Sequence, residues 1–388
     1  MVTVGGANGA ASFAAGAEER QGLAEPVTVF LCGDVMLGRA IDQIHPNPVD
    51  PVLREPYVTS ALDYLALAER AHGLIPRAVE PEYVWGDALE LLREVRPRAR
   101  IINLETSITD GGEFWPKTVN YRMAPQHAEV LTAAGIDCCA LANNHVLDFG
   151  REGLLETLAT LRDIGIKSAG AGVDNVAAAA PAVIEAQLEG RILVFSYGCA
   201  TSGIPPAWAA RSDEPGINLL PDLSDATLTQ VVAQAEAERR PGDLLVASIH
   251  WGGNWGYEVP PDQVRFAHGL IDGGFDVVHG HSSHHVKAIE IYCDRPIMYG
   301  CGDFITDYEG ISGHEEFRAD LSLAYLPTFS RPANRLTSFR LVPFRMRRFR
   351  LERVPQFDAL WLGRILDREA GRFGTRTALT EGETFALE

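Results

Sequence analysis

Short apolar runs alternate with amphipathic stretches along most of the chain. Runs with the length and β-branched content of buried strands lie at 27–32, 99–104, 136–141, 192–197, 244–249 and 275–278. Apolar residues recur at helical spacing at 61–71, 87–95, 126–134, 151–163, 225–238 and 261–271. Apolar runs at 289–292, 296–299, 321–326 and 337–342 then follow without helices, before a final helix around 358–373. This order predicts an α/β fold with two packed sheets flanked by helices.

No linker-like stretch divides these elements, so we predict a single domain over residues 26–388. The preceding residues 1–25 are rich in Ala and Gly and lack both the cationic and the apolar segment of a secretory signal. They are predicted to be a disordered leader.

Composition and charge argue against several classes of protein. A net charge of −18 argues against sequence-independent nucleic-acid binding, which needs a basic surface. No stretch reaches the roughly 18 uninterrupted apolar residues of a membrane span, so we expect a cytoplasmic protein with no membrane partner. Six cysteines in 388 residues do not suggest a disulfide framework. Four of them adjoin apolar runs and are expected to be buried thiols, namely Cys32, Cys138, Cys139 and Cys199.

Polar residues stand where several predicted strands end. Asp34, Glu105, Asn144 and His250 each follow an apolar run, and four histidines lie within residues 279–285. Carboxylate, amide oxygen and imidazole delivered to one sheet edge suit one or two divalent cations. These donors do not distinguish Ca, Mn, Mg, Fe and Zn, and no organic cofactor is needed. A single histidine would more often belong to a solvated polar loop, but that interpretation is weaker for four histidines within seven residues.

Six motifs carry a resemblance to a known family. They are GDVMLGR at 33–39, NLE at 103–105, ANNHVLDFG at 142–150, HWG at 250–252, GHSSHH at 280–285 and YGCGDF at 299–304. In this order they resemble the calcineurin-like metallophosphoesterases, and more closely the CapA branch of poly-γ-glutamate capsule synthesis proteins. The resemblance covers roughly residues 27–326.

The resemblance implies a calcineurin-like four-layer α/β/β/α sandwich of two mixed sheets flanked by helices. The metal ligands that it implies are Asp34, Glu105, Asn144, His250, His281 and His284. It places His145 as a general acid, and Asp148, three residues on, is expected to orient that imidazole.

Departures from ordinary phosphoesterases leave the number of ions open. Met36 stands where they carry a histidine, Glu105 ends a motif that usually reads Gly-Asp, and two serines separate His281 from His284. One metal position is thereby expected to lose a ligand. A single occupied site is plausible, which puts two-metal hydrolysis in doubt.

If one metal position lacks a ligand, the remaining histidines and carboxylates favour an enzyme that transfers protons. His145 with Asp148 is one candidate acid/base pair, and His284 or His285 with Asp303 is a second. Helix capping and turn formation are equally good explanations of Asp148 and Asp303. The same branch contains metal-dependent lasso-peptide epimerases that need no organic cofactor, and the absence of an anchor favours a similar cytoplasmic enzyme. The first hypothesis is therefore epimerisation, from L to D, at the Cα of a C-terminal residue in a ribosomal peptide precursor.

Two alternatives remain open. One is a CapA-type hydrolase or transferase that acts on a phosphoester or on poly-γ-glutamate, and the other is a non-catalytic receptor for a peptide or polymer. The oligomeric state is open too.

Several loop residues are candidates for binding the substrate. Arg39, Lys117 and Arg122 suit a carboxylate or phosphate, whereas Trp251, Trp255 and Tyr257 suit a bulky side chain, although core packing is the commoner role of such aromatic residues. The basic stretch at 344–350 is predicted to be an edge strand with a charged outer face.

Overall fold

The computed structural model describes residues 25–185, 190–380 and 384–387. The predicted leader therefore lies outside the described residues, apart from Glu25. Within the described ranges, no helix is both long and apolar enough to cross a bilayer. The single domain over 26–388 stays a prediction.

Helices and strands alternate through the first part of the chain, as predicted. The helices are α1 (Arg39–Asp42), α2 (Ala61–His72), α3 (Ala88–Val95), α4 (Glu129–Ala133), α5 (Gly150–Asp163), α6 (Asn175–Ala179), α7 (Asp225–Glu238), α8 (Pro261–Asp272) and α9 (Gln356–Ala370). The first strands are β1 (Val27–Val35), β2 (Ala99–Leu104), β3 (Ser107–Ile108), β4 (Arg122–Met123), β5 (Cys138–Ala140), β6 (Lys167–Ala169), β7 (Ala171–Gly172), β8 (Ala182–Glu185), β9 (Arg191–Cys199), β10 (Gly216–Ile217) and β11 (Leu219–Leu220). The later strands are β12 (Leu244–His250), β13 (Val277–His281), β14 (Ile289–Tyr292), β15 (Arg295–Met298), β16 (Asp303–Ile305), β17 (Leu321–Ser330), β18 (Arg335–Met346), β19 (Leu351–Arg353), β20 (Thr377–Leu379) and β21 (Phe385–Leu387).

The first large sheet is mixed. Its main path runs β20-β21-β18-β17-β1-β2-β5-β6, with β16 beside β1 and β19 beside β18. Strands β1, β2, β5 and β6 pair in parallel, whereas β17 and β18 join in antiparallel fashion. Since parallel strands end at one edge, this half of the sheet delivers the residues after β1, β2 and β5 to a common place.

The second large sheet repeats the arrangement. Its path runs β11-β9-β12-β13-β15-β14, with β8 beside β9. Strands β9, β12, β13 and β15 pair in parallel, so His250 and His281 lie opposite each other at the ends of neighbouring strands.

Three apolar layers hold the sheets and helices together. The middle layer packs side chains of both sheets against each other, such as Leu31 and Ile101 against Val194 and Val246. The outer layers bury α2, α3 and α5 on the first sheet and α7 and α8 on the second. This arrangement confirms the predicted four-layer α/β/β/α sandwich.

Sequence and structure differ most around β13 and β18. Strand β13 continues through His279 and His281, which the sequence had placed in a loop. Strand β18 pairs with β17 on one side and with β19 and β21 on the other, so the predicted edge strand at 344–350 was wrong. All four cysteines expected to be buried are buried.

Candidate metal centre

Asp34, His250 and His281 converge where parallel strands of the two sheets end. Their ligand atoms all lie within 4.8 Å of one another, and all three side chains are fully buried. Register between β12 and β13 places His250 opposite His281, and their Nδ1 atoms are 2.8 Å apart. The sheets therefore fix one carboxylate and two imidazoles around a common point.

A close approach of two glycines brings a second carboxylate, that of Asp303, beside Asp34. A Cβ on Gly33 would lie 1.7 Å from the carbonyl oxygen of Gly302, so neither neighbour leaves room for a side chain there. The amide of Asp34 donates to that same oxygen at 3.0 Å. As a result Asp34 stands in register with Asp303 on β16.

The remaining predicted ligands surround this point. Glu105 Oε1 lies 3.8 Å from His250 Nε2, and Asn144 Oδ1 lies 2.9 Å from the same nitrogen. His284 joins through Asp303, because its Nδ1 is 3.0 Å from Asp303 Oδ1. The structure thus brings all six predicted ligands together where strands of the two sheets end, and their coordination of a metal stays a prediction.

The electrostatics of the cluster are those of a cation site. Burial and the charge of Asp303 raise the pKa of Asp34 to about 7. Burial and the charge of Asp34 also raise the pKa of Glu105 well above its usual range. Burial lowers the pKa of His250 and His281, so both rings keep a free lone pair at neutral pH. Crowded carboxylates beside neutral imidazoles fit a divalent ion.

Buried hydrogen bonds orient these donors. Ser248 Oγ lies 2.9 Å from His281 Nε2 and 3.1 Å from His279 Nδ1, and His279 Nε2 lies 2.7 Å from the carbonyl oxygen of Cys32. Asn103 Nδ2 donates to Asp34 Oδ1 at 2.7 Å. Such partners fix ring orientation and tautomer in metal sites.

The loop after β13 has a strained backbone. Ser282 has φ of 101°, a conformation rare for residues other than glycine. Its amide donates to Asp34 Oδ2 at 3.2 Å, and its hydroxyl donates to the carbonyl oxygen of Gly252 at 3.1 Å. These bonds hold the strain in place beside the cluster.

His145 and Asp148 form a hydrogen-bonded pair, with Nδ1 and Oδ2 2.6 Å apart. Lys117 Nζ lies 2.5 Å from Asp148 Oδ1, and the Tyr121 ring stacks on the imidazole with centroids 3.9 Å apart. Burial raises the pKa of Asp148 to about 7, and the positive charge of Lys117 opposes that rise. Because Nδ1 faces Asp148, Nε2 is left facing the cluster, 3.9 Å from Glu105 Oε1.

The second predicted acid/base pair is His284 with Asp303. Burial lowers the pKa of His284, but the charge and hydrogen bond of Asp303 outweigh it and raise the pKa overall. His285 does not reach Asp303. Its Nδ1 lies 3.1 Å from the carbonyl oxygen of Val286, and its ring packs among Trp255, Tyr257 and Phe317.

Comparison with known proteins places this constellation in a family. The profile of the family described as "Bacterial capsule synthesis protein PGA_cap" matches residues 28–308, which include every predicted metal ligand. The chain belongs to the PGA_cap family. Among its relatives, a "probable polyglutamine synthesis accessory protein" of Mycobacterium tuberculosis is 49% identical over 352 residues, covering 90% of this chain and 93% of the relative.

Other similarities are more distant. The capsule biosynthesis protein CapA of Bacillus anthracis is 25% identical over 196 residues, covering 49% of this chain and 45% of the relative. A 5'-nucleotidase precursor from Thermus thermophilus superposes with a TM-score of 0.41 at 13% identity, over 82% of this chain and 54% of its own. The sulfate thiohydrolase SoxB from the same species gives a TM-score of 0.39 at 12% identity, over 84% and 56%.

The predicted substrate-binding residues of this PGA_cap protein have different surroundings. Arg39 is buried and holds Asp307 and Glu55, with Nη1 3.0 Å from Glu55 Oε1. Arg122 packs its guanidinium 4.7 Å from the Phe149 ring centroid. Lys117 remains about one fifth exposed, at 21% of its side chain.

The three aromatic candidates of this PGA_cap protein also differ. Trp251 is buried, and its Nε1 donates to the carbonyl oxygen of Tyr299 at 3.0 Å. Trp255 and Tyr257 are partly exposed on the far side of His284 and His285. A substrate-binding role for all six predicted residues stays a prediction.

Sequence reasoning missed Ser248, Asn103, Tyr121 and Tyr308. Ser248 precedes His250 by two residues on β12, and the strand repeat puts both on one face. Asn103 belongs to the NLE motif, so both residues had a readable signal. The stacking of Tyr121 on His145 depends on how long loops fold, and no pattern in the sequence predicts it.

Proposed function

We propose that this PGA_cap protein is a metal-dependent hydrolase or transferase that acts on a polymer of glutamyl or glutaminyl units during polymer synthesis. The observation that carries the proposal is the free Nε2 of His145, which faces the ligand cluster while Asp148 and Lys117 hold the other side of the ring. The name of the Mycobacterium tuberculosis relative, a polyglutamine synthesis accessory protein, supports the polymer class.

The described residues divide the chemistry between them. Asp34, His250 and His281, with Glu105 and Asn144, would hold a divalent ion that polarises a carbonyl or phosphoryl oxygen. The neutral Nε2 of His145 would take a proton from the attacking nucleophile and return it to the leaving group, and Asp148 would fix the ring so that Nε2 does so. Burial holds the pKa of His145 well below its usual range, which suits the first of these steps. The stack with Tyr121 keeps that imidazole from rotating away.

The test compares defined substrates with the purified, metal-loaded protein. Oligomers of γ-linked glutamate and of α-linked glutamine are assayed for newly released amines, beside a phosphodiester. We expect amide cleavage, or transfer to an added amine, that falls about 10² to 10⁴-fold in His145→Ala. Turnover of the phosphodiester alone would overturn the polymer assignment and retain the hydrolase.

Epimerisation of a peptide residue is the second candidate. Two histidine-carboxylate pairs, His145 with Asp148 and His284 with Asp303, flank the same cluster, which suits removal and return of a Cα proton. Incubation of candidate peptides in D₂O, lasso-peptide precursors included, tests it by mass spectrometry. A metal-dependent gain of about one dalton at a single residue, lost in His145→Ala, would displace the hydrolase proposal.

A non-catalytic receptor makes the opposite prediction. If His145→Ala and Asp148→Ala leave both metal content and the biological role intact, neither enzymatic proposal survives. The change Ser283→Ala, in the loop after β13 and bonded to the carbonyl oxygen of His285, controls for a disturbance near the cluster that spares His145 and Asp148.

A further inference from the structure

A cavity of about 310 Å³ opens beside the candidate metal centre. Two of its wall residues, Trp255 and Tyr308, contact His284, with ring centroids 5.4 Å and 5.2 Å from the imidazole. The cavity and the predicted ligand cluster therefore share a wall. Its volume is at the lower end of the range for small-molecule sites.

The same wall reaches the other acid/base pair. The hydroxyl of Tyr308 lies 2.7 Å from that of Tyr121, whose ring stacks on His145. Tyr308 therefore connects the wall of the cavity to both histidine-carboxylate pairs.

The lining is predominantly apolar and carries aromatic rings. Trp255, Tyr308, Ile311, Ala319 and Met346 contribute apolar surface to it. The Trp255 indole is already set in place by stacking on His314, with ring centroids 4.0 Å apart and planes 15° from parallel. Rigid aromatic walls of this kind bind flat apolar groups at low entropic cost.

The charges of the lining oppose a carboxylate. Three acidic residues, Glu309, Glu315 and Asp320, stand against one guanidinium, that of Arg318. Arg318 is held by Asp320 at 2.7 Å and by Asp358 at 2.9 Å, so its charge is compensated.

Two imidazoles also line the cavity. His72 is bonded to Glu309, and His314 lies flat against Trp255. A free carboxylate entering the cavity would lose water and meet an excess of negative charge.

We propose that this cavity receives an uncharged, ring-sized apolar side chain of the substrate and rejects a free carboxylate at that position. The placement of that side chain next to the reacting bond rests on the proposed function. The inference goes beyond the proposed function, because a chain of glutamyl or glutaminyl units alone would not fill the cavity. It requires a glutamyl or glutaminyl chain that is joined, at the bond that reacts, to a residue with an apolar ring.

Binding is tested without turnover. Metal-loaded protein is titrated with two short N-acetylated peptides that differ at one residue, Phe or Glu, and saturation-transfer NMR reports which protons contact the protein. We expect strong transfer to the Phe ring and affinity for the Phe peptide at least about tenfold above that for the Glu peptide. Equal affinities would overturn the proposal.

Two pairs of variants locate the binding. Ala319→Trp fills the cavity and should abolish transfer to the ring, whereas Leu74→Trp, at a surface position that is 83% exposed, should not. Glu315→Lys adds an uncompensated cation to the lining and should shift the preference toward the Glu peptide by about tenfold. Glu316→Lys, next to it but outside the lining, should leave the preference unchanged.

The two proposals fail in different ways. If Phe-peptide binding depends on Ala319 and Glu315 but no glutamyl or glutaminyl polymer is turned over, the cavity assignment stands and the proposed polymer substrate falls. If polymer turnover is observed and Ala319→Trp changes neither turnover nor peptide binding, the cavity assignment falls and the enzyme remains.

Discussion

Two buried clusters of histidine and carboxylate in this protein differ in how their polar groups are hydrogen-bonded. One contains Asp42, His45 and His127, and the other contains Asp34, His250 and His281. In the first, the backbone amides of Val49 and Ala124 each donate to Asp42 at 2.8 Å, and His127 bonds to Asp42 and to the carbonyl oxygen of Pro46. Two backbone amides and the His127 ring therefore supply hydrogen bonds to the Asp42 carboxylate.

The second cluster is arranged in the opposite way. Its donors point at one another, since His250 and His281 bring two nitrogens to 2.8 Å and Glu105 lies against Asp34. The pKa of Asp34 is raised, whereas the pKa values of both histidines are lowered, so carboxylate and neutral imidazole lone pairs meet at one point. The same residue types therefore build a structural brace in one place and a candidate metal site in the other.

The largest effect is expected from removing a predicted ligand. His281→Ala should abolish stoichiometric binding of the metal and with it the enzymatic activity, because one of three converging donors is lost. His127→Ala is the matched change in the brace and should leave metal content at the wild-type level. Metal analysis of both purified variants checks this, and equal metal content would remove the distinction between the two clusters.

Removing the carboxylate of the brace should act on stability instead. Asp42→Ala leaves His127 and two buried amides without their acceptor, so we expect the free energy of unfolding to fall by about 3 kcal/mol. Urea denaturation of the metal-free protein measures it. Asp34→Ala in the same assay should cost less, because relief of the crowded negative charge offsets the loss of the hydrogen bonds from Asn103 and Ser282. A larger loss for Asp34→Ala would contradict the comparison.

Much of the candidate site follows from the sequence because parallel strands deliver their ends to one edge. Asp34, Asn144 and His250 could each be placed near the end of an apolar run, in or after β1, β5 and β12. Strand β12 belongs to the second sheet, so the packing that brings His250 to Asp34 was not visible in this pattern. The predicted bounds of β2 and α7 match the structure residue for residue. These segments were predictable since their pattern depends on local burial.

The predictions for β13 and β18 failed because both strands depend on contacts between residues that are distant in the chain. His279 lies inside β13 because Ser248 and the carbonyl oxygen of Cys32 satisfy its ring, which makes a polar residue acceptable in a buried strand. Strand β18 is central because residues 385–387 return to pair with it. Neither partner is visible in the local pattern.

An intermediate effect is expected from the hydrogen bonds behind the metal cluster. Ser248→Ala removes the hydroxyl between His279 and His281, and loss of such a partner weakens metal binding by about 10 to 100-fold. The matched variant is Ser283→Ala, whose hydroxyl bonds to the carbonyl oxygen of His285 at 2.9 Å. Competition with a chelator of known affinity measures both. Equal affinities in the two variants would mean that Ser248 only fills space.

The smallest expected effect is a pH dependence of stability from the brace. Burial lowers the pKa of His127, but its hydrogen bond to Asp42 and the charge of that carboxylate outweigh burial and raise the pKa overall. Folded His127 therefore keeps its proton above the unfolded value of about 6.5. Its stabilising contribution is complete below that value and is lost as pH rises through the folded pKa.

The neighbours of His127 permit a clean measurement of this slope. Asp42, His45 and Asp110 face it, and burial lowers the pKa of His45 to about 4, so that ring stays neutral throughout the window. Unfolding free energies of wild type and His127→Gln are compared across this range in the presence of a chelator. The difference should shrink as pH rises, because only the wild type releases a proton there. A difference that grows with pH would show that His127 is held neutral, and the brace would then resemble the metal cluster after all.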